Sequence, residues 1–272
     1  MLRVTALLRP VKHVAGAVAI VAGQVMTAAH RPDMPGLANQ DPSGSFGDTS
    51  LPSTTFVLLG DSSVTAPGVD PLDAAWPRRM AESLAEEHHI ELINVAMGGA
   101  KSRDVLAHQV PAAVNVGGDI AMVSVGANDA LRGTPLRQFE REVHETVMRL
   151  LGTFESVGIA GLGDLGTVPR LPTMGRAVGR VRGASFDRAL ARVASEYAEV
   201  VKSSAWGGPW NRFKEGDPNH LFGDDHFHAS ANGHAVFSGG ALAIANELLR
   251  RRYYGTTTDE PSSPWRGESA AI

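Results

Sequence analysis

The sequence predicts a three-layer α/β/α sandwich on a mostly parallel five-stranded sheet. Short apolar runs alternate with amphipathic stretches through most of the chain, the pattern of strands joined by crossover helices. Two of the runs, Thr55–Leu59 (TFVLL) and Ile120–Val125 (IAMVSV), are apolar at almost every position, as strands covered on both faces require. In such folds ligands bind beyond the carboxyl ends of the strands. The loops after the runs are therefore where chemistry is sought.

The chain has 272 residues, of which 43% are hydrophobic, enough for a sizeable core. Residues 1–29 carry Arg3, Arg9 and Lys12 and no acid, followed by the apolar run Val14–Ala29. This segment resembles an export signal or membrane anchor, with a helix lying on the domain or a membrane surface as the alternative. It points to an exported or membrane-associated protein; a cytoplasmic one is the other reading. Residues 30–54 are rich in Pro, Gly, Ser and Asp and read as a flexible linker, and 255–272 as a disordered tail. The folded body is thus 55–254.

Within it the five runs are Thr55–Leu59, Ile90–Val95, Ile120–Val125, Val157–Leu162 and the short Glu199–Lys202. Trp76, Met80 and Leu84 recur at helical spacing, and Thr134-Pro135 reads as N-cap and first residue of a helix with Phe139, Val143 and Val147 on one face. Phe237, Ala241, Ile244 and Leu248 mark a final helix that ends in Arg250, Arg251 and Arg252, where positive charge suits the carboxyl terminus. The chain has no cysteine, which excludes thiol nucleophiles and thiolate metal sites, and its net charge of −4 gives no sign of nucleic-acid binding.

Gly60-Asp61-Ser62-Ser63 follows the first run and would present the Ser62 hydroxyl at a strand end. Taken alone the Gly60-Asp61-Ser62 stretch is ordinary turn chemistry. Asn94 to Ser102 follows the second run, and its Gly98-Gly99 pair allows close backbone approach to a ligand, although no phosphate-loop spacing is present. Gly126-Ala127-Asn128-Asp129 follows the third run, where the Asn128 amide suits a developing oxyanion and Asp129 suits a turn cap. Asp224-Asp225-His226-Phe227-His228 precedes the last helix, with Asp225 three residues before His228, close enough to fix the imidazole tautomer. Asp217 and His220 repeat that spacing in a Pro/Gly/Asn-rich loop and are the less favoured pair. His234 reads as a cap or packing group.

Together the four loops resemble the conserved blocks of the SGNH hydrolases, the GDSL esterases and lipases, in order and spacing over about 55–245. Ser63 stands where the family usually has Leu, and Ala229 where Pro often follows the His. The resemblance implies the flavodoxin-like SGNH fold and a serine esterase forming an acyl-enzyme on Ser62, with His228 as base and Asp225 as its orienter. It further implies an oxyanion hole from the Ser62 and Gly99 N–H groups and the Asn128 amide, a small-molecule or lipid ester as substrate, and no metal or organic cofactor. An acyltransferase would use the same triad. A phosphodiesterase with metal on Asp224, His226 and His228, and a non-catalytic sugar- or lipid-binding relative, are the remaining readings. Arg170, Arg176, Arg180 and Arg182, in the Gly/Pro-rich stretch 164–183, would cover the site or simply line a solvated loop. Trp206 and Trp210 would wall a pocket or pack their loop. The sequence does not choose between these roles.

Overall fold

The computed structural model describes residues 37–203, Phe213 and 218–255. The segment 1–29, Trp206, Trp210, Asp217 and the tail beyond Gly255 lie outside the described residues. Among those described, no helix is long and apolar enough to cross a membrane.

The sheet has six strands in the order β1-β3-β2-β4-β5-β6: β1 Gly44–Phe46, β2 Ser53–Gly60, β3 His89–Asn94, β4 Ile120–Ser124, β5 Ser156–Ile159 and β6 Val200–Lys202. The last five pair in parallel and correspond to the five expected runs; β1 is an antiparallel edge strand on β3. That sixth strand comes from the stretch read as linker. Its residues are held by polar groups more than by apolar burial, which is why composition hid it. Ser43 Oγ accepts from the Asn94 N–H, Arg78 donates to Ser43 O and lies over the Phe46 ring, and the Gln40 side chain donates to Ala66 O and Val69 O.

Side chains alternate across β2. Val57 and Leu59 face one layer with Phe139, Val143 and Val147 of α6 (Leu136–Leu151) and Phe186 and Leu190 of α7 (Thr173–Ala194). Phe56 and Leu58 face the other, with Trp76, Met80 and Leu84 of α2 (Trp76–Leu84) and Ala241, Ile244 and Leu248 of α9 (Ala231–Tyr254). Each such fully buried side chain contributes about 1.5–3 kcal/mol. A run apolar at every position therefore becomes a central strand with both faces dry.

Three local expectations change. Pro135, not Thr134, occupies the N-cap of α6, because the Thr134 hydroxyl is spent on Asp129. Arg250 and Arg251 grip Glu247, and Arg252 reaches Asp119 and Glu155, so these arginines meet carboxylates as well as a helix end. The supposed loop 164–183 is largely the first half of α7. Its Gly179 and Gly183 let the segment around Leu165 lie directly on the helix, a Cβ at either meeting it at 3.2–3.3 Å.

Gly60 closes β2 with φ +148, and a Cβ there would sit 2.1 Å from the Ser124 carbonyl oxygen. Gly60→Ala is expected to destabilise the protein by more than about 2 kcal/mol, since strain and clash add. A urea unfolding midpoint unchanged from the parent would contradict this.

Candidate active site

At the end of β2 the chain turns sharply. Asp61 caps α1 (Ser62–Thr65), its carboxylate accepting from the Ser63 N–H, and Ala66 ends the turn in the left-handed region at φ 44. Behind it, buried Gln109 accepts from Gly60 N–H at 2.7 Å and donates to Gly60 O at 2.8 Å. Gln109 reaches this point from a π-helical turn, Val105–Gln109, lying between α3 (Ser102–Asp104) and α4 (Val110–Val116). Nothing in the run VLAHQV signals that contact.

The loop after β3 is stitched to the same strand end through Val95 N–H to Leu58 O and Met97 N–H to Gly60 O. Gly99 adopts φ +78, and Arg132 holds its carbonyl. Among the described residues, neither the Ser62 N–H nor the Gly99 N–H has an acceptor. Asn128, in α5 (Ala127–Leu131), directs one amide hydrogen to Asp61 Oδ2 at 3.2 Å, which leaves the second free. Burial raises the Asp61 carboxyl above its usual range, against the bonds from Ser63 and Asn128 and the neighbouring His228.

Asp129 does more than bond the Thr134 hydroxyl of its own turn. It accepts from the Ser102 N–H and hydroxyl, joining the second loop to the third. Ser102 Oγ also lies 2.6 Å from Glu142 Oε2. Ser102 has one hydroxyl proton for the two carboxylates it meets, so it donates to one of them at a time. Burial lifts the Asp129 carboxyl and Glu142 adds to the shift.

Asp225 and His228 stand in a closed loop whose ends pair at Phe222 and Ala229, with His226 at φ 54 forming the bend. His228 Nδ1 lies 2.6 Å from Asp225 Oδ2, while Asp225 Oδ1 accepts the N–H groups of Phe227 and His228 at 2.9 Å each. Burial would raise the Asp225 carboxyl, but these bonds and the His228 charge outweigh it and hold it below its usual range. A carboxylate there accepts the hydrogen bond of Nδ1–H, fixing the proton on Nδ1 and leaving Nε2 as a base.

Ser62 and His228 line one cavity of about 170 Å³, with Leu162, Leu165, Phe222 and Phe237 among its walls. No hydrogen bond joins Ser62 to His228; such contacts are often loose before substrate binds. Gly99 and Asn128 are not among the lining residues. Among the described residues, no three His, Asp or Glu side chains are grouped to hold a metal ion, Asp224, His226 and His228 included. His220 sits exposed in α8 (Pro218–Leu221), where its carbonyl accepts from Ser230.

The arginines of 164–183 are engaged by the fold. Arg176 donates to Leu171 O and Pro169 O, Arg180 pairs with Asp164, and Arg182 donates to Ala130 O and Thr134 O. Arg170 lies over the Phe227 ring and its N–H donates to His226 O, which braces the histidine loop.

His234 caps a helix, though not its own. Its Nδ1 accepts the Trp76 N–H at the start of α2. Burial, then the nearby His228 and Arg79, push its imidazole from 6.5 down to about 3. Between those values the unfolded chain binds a proton that the folded protein does not, so stability is lost as pH falls below 6.5. On acidification to pH 4, His234→Gln is expected to lose less stability than the parent, by up to about 3 kcal/mol. Urea midpoints that fall in parallel for the two proteins would refute this.

A model of the GDSL-like Lipase/Acylhydrolase family matches residues 58–236, a span that runs from β2 through all four loops. The chain belongs to this family. It is thus a GDSL-type (SGNH) carboxylic ester hydrolase. The GDSL-like esterase Rv1075c of Mycobacterium tuberculosis is 27% identical over 214 residues, covering 77% of this chain and 67% of that protein. Among solved structures, the esterase EstA of Pseudoalteromonas sp. matches with TM-score 0.57 at 17% identity, over 72% of this chain and 99% of that one. Axe2, an acetylxylan esterase of Geobacillus stearothermophilus, matches with TM-score 0.57 at 15% identity, over 73% and 95%. These two likenesses concern the fold.

Proposed function

We propose that the protein is a serine esterase hydrolysing carboxylic esters through an acyl-enzyme on Ser62. The observation that carries the reading is the 2.6 Å contact of His228 Nδ1 with Asp225 Oδ2 beside a cavity that Ser62 also lines. His228 Nε2 takes the Ser62 proton as Oγ attacks the ester carbonyl carbon. The resulting oxyanion meets the Ser62 N–H, the Gly99 N–H and the Asn128 amide, and losing one such donor typically costs about 10²–10³ in kcat. The C–O bond to the alcohol then breaks, and His228 returns the proton to the leaving oxygen. Water, deprotonated by His228, attacks the acyl-enzyme, releasing the acid and restoring Ser62.

Asp61 is a positioning residue in this scheme. By holding one hydrogen of the Asn128 amide it aims the other, which explains a buried acid beside the nucleophile. A fluorophosphonate probe followed by peptide mapping tests the proposal. The expected label is on the peptide containing Ser62, and label on any other residue, or none, would overturn it.

A further inference from the structure

His234 is only 1% exposed, yet it lines the same cavity as Ser62 and His228. Because its Nδ1 accepts the Trp76 N–H, the proton of the neutral ring sits on Nε2. Among the described residues that N–H has no acceptor, and it is not one of the sealed unpaired atoms of the protein. Phe237 lies edge-on to the ring at 5.6 Å, and His228 and Arg79 are near it as well. A donor is thus held in a fixed orientation, in one tautomer, against a wall that is otherwise mainly apolar. Left without a partner, such a group is costly; met by an acceptor, it selects for that acceptor.

We propose that His234 is a specificity-determining residue, and that the acyl group this enzyme takes is a short to medium chain carrying one hydrogen-bond-accepting oxygen. This rests on the serine esterase reading above. The acyl half is assigned to the cavity because the alcohol must depart to solvent before water attacks, whereas the acyl half stays bound to Ser62. The aromatic and aliphatic walls hold the chain, and the His234 Nε2–H receives its oxygen.

The test compares ethyl hexanoate with its three keto derivatives, isomers of one another that bear the carbonyl at the third, fourth or fifth carbon. Each kcat/KM is divided by the ester's rate with hydroxide, to remove intrinsic reactivity. In the parent, one keto isomer is expected to exceed hexanoate about tenfold, the worth of one neutral hydrogen bond. His234→Phe should bring that ratio to about one, while His234→Gln, which can accept from Trp76 and still donate, should restore part of it. A parent ratio near one for all three isomers overturns the inference even if His234→Phe does not fold. So does a preference that survives in His234→Phe. Absence of turnover with every ester, or turnover that persists in Ser62→Ala, would instead count against the esterase reading itself.

Discussion

Ser62→Ala is expected to lower kcat/KM for p-nitrophenyl butyrate by about 10⁵–10⁶, to the level that oxyanion donors and binding sustain alone. Alanine removes the attacking oxygen and leaves the Ser62 N–H in place. The substitution should leave the fold intact, because the Ser62 hydroxyl makes no hydrogen bond among the described residues, and Asp61 and Gln109 set the turn without it. Thermal unfolding of the variant should therefore fall within a few degrees of the parent. Activity above about one per cent of the parent, in a preparation free of wild-type protein, would remove Ser62 from the mechanism.

Asp225→Asn should cost about 10⁴ in kcat through the histidine tautomer. Asp225 Oδ1 already accepts two backbone N–H groups, from Phe227 and His228, and only an oxygen can sit there. The asparagine amide must therefore place its NH₂ where Oδ2 now faces His228 Nδ1. Nδ1 becomes an acceptor, the ring proton moves to Nε2, and the base is lost although every heavy atom stays in place. Loss of less than about tenfold would mean that the ring is oriented by something other than Asp225. Asp225→Ala would be a poorer experiment, since it strands two buried N–H groups and destabilises the loop as well.

The strand cores and the loops that carry Ser62, Asn128, Asp225 and His228 were legible because each leaves a local mark. Val57, Leu59, Ala121 and Val123 announce a two-sided strand by having no polar partner in sequence, and the four loops announce themselves by following such strands. β1 was not legible: three residues show no period, and its neighbours Ser43 and Gln40 are fastened by hydrogen bonds to residues tens of positions away. The same holds for Asp61 with Asn128, Gln109 with Gly60, and His234 with Trp76. Each is a buried polar pair created by the fold, and each residue alone is compatible with a turn, an exposed helix face or a cap. α7 misled for a different reason. Its glycines at 175, 179 and 183 mimic a loop in sequence while forming a helix flank in space.

The π-helical turn at Val105–Gln109 carries one residue more than an α-helix would hold over the same height. A deletion that relaxed the turn to α would leave the flanking turns in phase but remove the local widening from which the Gln109 side chain reaches Gly60. Gln109 would then swing away from Gly60, two positions before Ser62, the proposed nucleophile. The number of residues in a helix behind the strand end thus acts as a spacer for the Ser62 turn. In this region a change in chain length would be felt more sharply than a change in residue type.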